Sequence, residues 1–164
     1  MSSAEGAKEA ADYLRVFASR LENGVKDIIE QSTKFGEKEA QNRFDAAEYP
    51  GFNDVTVFRE KNNTETSIVA EGTTVLFIEY GAGVGNDGED YAAEHGYIRG
   101  TYEQGKGANP PWVYAGVSGT GYTREIRPGI YRTYGNKANR CMFFTAEDVS
   151  DDIDQKIAEG KKKW

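Results

Sequence analysis

Apolar and polar positions follow different periods along this chain, and each period predicts an element. Over about residues 4–46, Leu14, Leu21, Ile28 and Phe35 recur every seven residues, with Phe17, Ala18, Val25 and Ser32 in the rows between them. That spacing predicts one long helix with a single apolar stripe, open to a bend at Gly24 or Gly36. Lys8, Glu9, Arg15, Glu22, Lys26, Asp27, Glu30 and Lys38 supply a solvated opposite side. Packing on the chain's own sheet accounts for such a stripe. The length supports a sharper alternative: roughly 40 residues rising ~1.5 Å each span ~60 Å, more than a small domain's diameter, so that the far half would also pack on a neighbouring subunit.

Tyr49, Pro50 and Gly51 end the helical region, and the period shortens to two. Val55 and Val57 alternate with Thr56 and Phe58, Asn62 and Asn63 supply a tight turn, and Thr66, Ile68 and Ala70 return, which predicts a β-hairpin. Residues 73–78 are apolar on both faces and fit either a central strand or a short buried helix. From Gly81 to Tyr134 the periodicity fades. This stretch holds most of the glycines, seven of the ten tyrosines and three of the four prolines, with short strands expected at residues 112–116 and 122–126. Ordering such chain costs ~1 to 2 kcal/mol per residue, so a function or a partner is expected to hold it.

Residues 136–160 predict a closing helix with Met142, Phe143, Ala146, Val149, Ile153 and Ile157 on one face. Glu147, Asp148, Asp151, Asp152 and Asp154 form its solvated side, and Lys161, Lys162 and Lys163 follow its end, where cations complement the helix dipole. The fold class expected is therefore α+β: a long N-terminal amphipathic helix, a small antiparallel β-sheet with a long glycine-rich loop at about residues 81–111, and a C-terminal helix. One domain spanning residues 1–164 suits the chain length.

Composition narrows the function. A hydrophobic share of 38% with ten Tyr and eight Phe supplies a core, and a formal net charge of -7 argues against a protein built to grip nucleic-acid phosphates. Cys141 is the only cysteine, which excludes an intrachain disulfide, and its neighbours Met142, Phe143 and Phe144 predict a buried thiol. No apolar run approaches a membrane span, and the first residues carry no hydrophobic signal region, so no membrane partner is expected and the chain is expected to be made in a cytoplasm.

Catalytic patterns are thin. The glycine-rich run at residues 81–88 lacks the lysine of a phosphate loop, and the acidic turn at residues 87–90 lacks calcium-loop spacing. Glu79 and Asp90 are the obvious carboxylate pair for glycoside cleavage, though no spacing shows that they meet. His95 lies in a polar setting that predicts a surface histidine. Trp112, Tyr114, Tyr122, Tyr131 and Tyr134 are the aromatics a sugar site would stack on, and Arg124, Arg127 and Arg132 form one basic cluster, partly offset by Glu125, of the kind interfaces enrich. No metal or cofactor is implied, and no catalytic set converges.

The run Phe77-Ile78-Glu79-Tyr80-Gly81, with Gly83, then Trp112 to Gly116, then Gly135, Asn136, Ala138, Met142 and Ala146 ahead of and within the closing helix, resembles the tail-component family of long-tailed bacteriophages, which includes tail-completion or neck proteins. The resemblance covers most of the chain in order. It implies a virion structural protein and not an enzyme: a subunit of a homo-oligomeric ring, six-fold, between the capsid connector and the tail tube, assembled in the host cytoplasm. Its partners would be other connector and tail proteins, with genomic DNA passing through the channel without specific binding. The resemblance also favours the short helix over the strand for residues 73–78. Residues 86–111 depart from the family's pattern as a long insertion.

Net charge -7 suits a channel wall that must let DNA slide, and glycine-rich elements that order on assembly suit heterologous ring contacts. In this reading Val75, Leu76, Phe77 and Ile78 anchor the core, Glu79 and Tyr80 hydrogen-bond loop backbone at its edge, and Gly81 and Gly83 turn the chain out. Trp112, Arg124 and Arg127 are the remaining assembly candidates. A tail-terminator ring of the same virion is the nearer alternative, and a small carbohydrate-binding or glycan-cleaving protein the more distant one.

Overall fold

The computed structural model describes residues 3–63, 65–83, 91–102, 111–115 and 123–161. Helix α1 (Ser3–Asp45) is followed by strands β1 (Thr56–Lys61) and β2 (Thr66–Glu71), helix α2 (Val75–Tyr80), strand β3 (Ala82–Gly83) and helix α3 (Tyr91–Glu94). Strands β4 (Trp112–Ala115), β5 (Thr123–Arg127), β6 (Ile130–Thr133) and β7 (Gly135–Asn136) lead into helix α4 (Cys141–Lys161). The α+β class stands. The strands form three separate antiparallel sheets: β1 with β2, β3 with β7, and β6 between β4 and β5.

Helix α1 runs unbroken through Gly24 and Gly36. Gly36 serves packing. A Cβ there would come within 3.0 Å of Val149 on α4 and Ile68 on β2, so these three elements close on one another where α1 has no side chain. The core holds Ala40, Phe44, Val55, Val57, Ile78 and Cys141, with Ile68, Ala70, Val75 and Met142 packed around them. From α1 the buried row is Ser32, Gly36, Ala40 and Phe44, spaced by four. This is not the heptad row: Leu14, Leu21 and Phe35 are exposed. Small residues at four-residue spacing let a second helix approach closely, and α4 takes that position.

The hairpin is fastened to α1 by polar groups. Val57 donates its amide to Gln41 Oε1 at 2.8 Å, and the Arg59 guanidinium reaches Glu37 and Glu30 at 2.9 Å each. Its turn closes through the Asn62 amide on the Glu65 carbonyl at 3.0 Å.

Helix α4 starts at Cys141, five residues later than the periodicity predicts. Asn136 belongs to β7, and Arg140 has φ of 53°, a left-handed state that a right-handed helix cannot include. Its buried face also differs from the expected one: Cys141 and Thr145 are buried and Val149 and Ile153 half-buried, whereas Phe143, Ala146 and Ile157 face solvent. Two acidic residues are engaged rather than merely solvated, since Asp148 pairs with Arg43 of α1 and Asp152 with Lys156. The strands expected near residues 112–116 and 122–126 occur as β4 and β5, with Gly116 and Tyr122 outside the described residues. Strand β6 was not expected, because Ile130, Tyr131, Arg132 and Thr133 show no alternation of their own.

Candidate functional site

The run that opens on Phe77 builds a joint between α2, the two short strands and α4. Of residues 73–78, Thr73 and Thr74 form a turn and Val75–Ile78 enter it as helix, not strand, and Asp54 fixes that turn. The Asp54 carboxylate accepts the amides of Thr73 at 2.9 Å and Thr74 at 3.0 Å, and the hydroxyls of both, which pins the turn that leads into α2. Burial pushes the Asp54 carboxyl up, but these four bonds outweigh it and hold it down to about 2. The α2 backbone then carries Ile78 into the core and Glu79 beside it.

Glu79 is only 4% exposed. Its carboxylate accepts the amide of Met142 at 2.9 Å, the amide of Phe143 at 3.3 Å and the hydroxyl of Tyr91 at 3.2 Å. A buried carboxylate is costly unless paired, and the orphan amides and positive end of a helix N-terminus meet that need. The expectation that Glu79 bonds loop backbone at an edge is thus corrected: it is interior, and its amide partners belong to the first turn of α4. The backbone repeats the link, with Asn139 and Arg140 amides on the carbonyls of Ile78 and Glu79 at 2.9 and 3.1 Å.

Two asparagines complete the joint. Asn139 donates from Nδ2 to the carbonyls of Glu48 and Ile78 at 3.1 Å each and accepts the Glu48 amide at 2.9 Å, so the chain just past α1 is held as well. Asn136, 1% exposed, donates to the Phe77 carbonyl at 2.9 Å. Gly81 lies between, at φ of 77°, against the backbone of residues 136–138. Gly83 and Gly135 face each other across β3 and β7 at φ of 68° and 110°, and a Cβ on either would fall within 3.0 Å of the opposite carbonyl. Gly81 and Gly83 therefore do turn the chain as expected, and their neighbours require glycine sterically as well.

Tyr80 makes its contacts through its ring. It lies 5.2 Å from Tyr91, 5.5 Å from His95, 4.9 Å from Tyr97 and 6.1 Å from Tyr102, and Phe77 meets Tyr102 edge-on at 5.2 Å. These rings fold residues 91–102 onto α2, with Tyr91 and Tyr102 buried. For that part of the glycine-rich segment, the chain's own rings supply contacts that hold it. His95 is exposed as expected, with Nδ1 2.9 Å from the Tyr91 carbonyl oxygen and its ring on Tyr80 and Tyr91. The glycine-rich run beyond Gly83 and the acidic turn at residues 87–90 lie outside the described residues, as does Asp90. Glu79 is sealed among three donors, a poor setting for an acid that must meet a glycan. Cys141 is buried as expected, and burial, with the Glu79 charge nearby, pushes its thiol up to about 12.

Trp112 joins the site from β4. With Phe77, Tyr49, Tyr114 and Asn136 it lines a hollow of about 260 Å³. Arg124 and Arg127 do not join it. They stand exposed on β5, one of the two outer strands of the three-stranded sheet, where Arg124 pairs across the ladder with Arg132. Among the described residues no group of His, Cys, Asp or Glu is arranged to hold a metal ion, and no helix is long and apolar enough to cross a membrane. Sequence reading missed Asp54, Tyr91, Tyr102 and Asn139. Only Asn139 carried a signal, as a capping residue type just before a helix. Comparison of the chain with protein-family models, curated proteins and solved structures finds no match.

Proposed function

We propose that the chain is a structural subunit of a tailed-phage virion, in a ring at the head-to-tail joining region. The observation that carries the assembly part of this reading is the length of α1 that the rest of the chain leaves uncovered. All residues from Glu5 to Gln31 are exposed except Gly24 and Ile28, which are half-buried, so more than half of a 43-residue helix stands outside the core. A monomer gains nothing from that extension, and a subunit gains a contact surface. The virion part rests on the resemblance of the Phe77 to Gly83 run and the Gly135 to Ala146 region, which are the two sides of the joint that Glu79 ties together. A rigid joint with a capped carboxylate fits a building element better than a catalytic centre. Exposed Arg124 and Arg127 on an outer strand offer a further surface for connector or tail proteins.

The hollow formed by Trp112, Tyr114, Tyr49 and Phe77 favours one second reading, a glycan-binding module, since flat aromatic rings stack on sugar faces. A stop codon in this reading frame of the phage that carries it separates the readings. DNA-filled heads beside complete, unattached tails are expected, and tails of aberrant length would point to a terminator ring instead. Normal infectious particles would overturn the assembly reading and leave the glycan reading to be tried on a glycan array.

A further inference from the structure

The heptad row on α1 is left over once the fold is complete. Leu14 is 62% and Leu21 52% exposed, and Tyr13, Val16, Phe17, Val25 and Ile29 are exposed with them. With ~150 to 200 Å² per large apolar side chain, Leu14, Leu21 and Phe17 with the flanking Tyr13 and Val25 leave on the order of 500 Å² uncovered, about the apolar share of an interface of ~800 Å² per partner. The same stretch and the end of α4, with Ile157 between Lys156 and Gly160, bound a groove of about 680 Å³.

We propose that this stripe is closed by the same stripe of a second copy of the chain, running antiparallel. Leu14, Leu21 and Ile28 form one row, and Phe17, Gly24 and Gln31 the row three residues on. Antiparallel pairing sets each row against the other. Leu21 then meets the partner's Gly24, whose missing Cβ would touch nothing within 4 Å and so leaves room for a large side chain. Phe17 meets the partner's Ile28, and Leu14 the partner's Gln31. In this register Arg20 lies beside the partner's Asp27, and Asp27 beside the partner's Arg20, so the flanking charges attract twice. Both residues are exposed, and neither forms an ion pair among the described residues. A parallel pair would stack Gly24 on Gly24 and leave a gap, and would set Arg20 beside Val25 with no charge to meet. The inference rests on the assembly reading in taking α1 as a contact surface. It differs in symmetry, since a two-fold pair is isologous and a ring needs a further, heterologous contact.

Sedimentation equilibrium on the full chain at micromolar concentration tests it. The expected species is a dimer of 18.2 kDa subunits. Leu21→Asp is expected to give folded monomers whose urea midpoint no longer depends on protein concentration, whereas the wild-type midpoint rises with it, because Leu21 lies outside the core. Arg20→Asp and Asp27→Arg are each expected to weaken the pair roughly tenfold, and the double variant to restore it. A monomeric wild type, a dimer indifferent to Leu21→Asp, or a double variant no better than the singles would overturn the antiparallel pair. A hexamer insensitive to Leu21→Asp would overturn the pair while sparing the ring. Normal particles from the stop-codon phage, with the dimer intact, would do the reverse.

Discussion

Glu79 Oε2 accepts the backbone amide of Met142 at 2.9 Å, so a carboxylate in the last turn of α2 caps a helix that begins far along the chain. With Phe143 and Tyr91 on the other oxygen, all of its acceptor capacity is turned inward.

Replacing Glu79 by Gln removes the charge and turns one acceptor into a donor facing an amide. The expected loss of stability is about 1 to 3 kcal/mol in urea unfolding, with faster hydrogen exchange at Met142 and Phe143. If Glu79→Gln kept wild-type stability and yet failed to assemble, Glu79 would be a contact residue rather than a cap.

Asp54 should make the start of α2 acid-sensitive. Its folded pKa is depressed to about 2, below the ~3.9 of an unfolded aspartate, so its contribution is fully present above about pH 4 and is lost as pH falls toward 2. Asp54→Asn should lower stability at pH 7 and flatten that acid limb. Parallel stability curves for both proteins between pH 5 and 2 would contradict the pinned turn.

At Gly83 and Gly135, alanine meets both a positive φ and a carbonyl within 3.0 Å. Gly129, at φ of 71°, has only the first problem, with nothing within 4 Å of a Cβ. Gly129→Ala is therefore expected to cost about 1 kcal/mol, and Gly83→Ala or Gly135→Ala about 3 kcal/mol or more. Equal urea midpoints for the three variants would show that close approach of β3 and β7 is not limiting.

Cys141 should be silent toward thiol reagents. With its thiol pushed up to about 12 by burial, labelling at pH 8 should be slow and should follow global unfolding as urea is added. Rapid stoichiometric labelling of the native protein would show an accessible thiolate.

What the sequence determined by itself was the order and type of the longer elements. Periods of 3.6 and 2 are local properties, and they placed α1, the hairpin, the body of α4 and the α+β class. The glycines of the Gly81 to Gly83 turn were also legible, because positive φ is a demand on one residue.

Tertiary structure decided what needs a distant neighbour. Residues 73–78 fitted strand and helix alike until the fold set Thr73 and Thr74 as a turn pinned by Asp54 and Val75–Ile78 as the start of α2. Glu79 read as an edge residue until α4 arrived with its unbonded amides. Tyr91 and Tyr102 looked like loop residues until Tyr80 gave their rings a place to pack. On α1 the heptad row was the stronger pattern, yet the core took Ser32, Gly36, Ala40 and Phe44, because close approach of α4 and β2 is set by the smallest side chains. Hydrophobicity along one helix records an apolar face, but not what covers it; only the packing of the other elements shows which face the chain covers itself and which it leaves open.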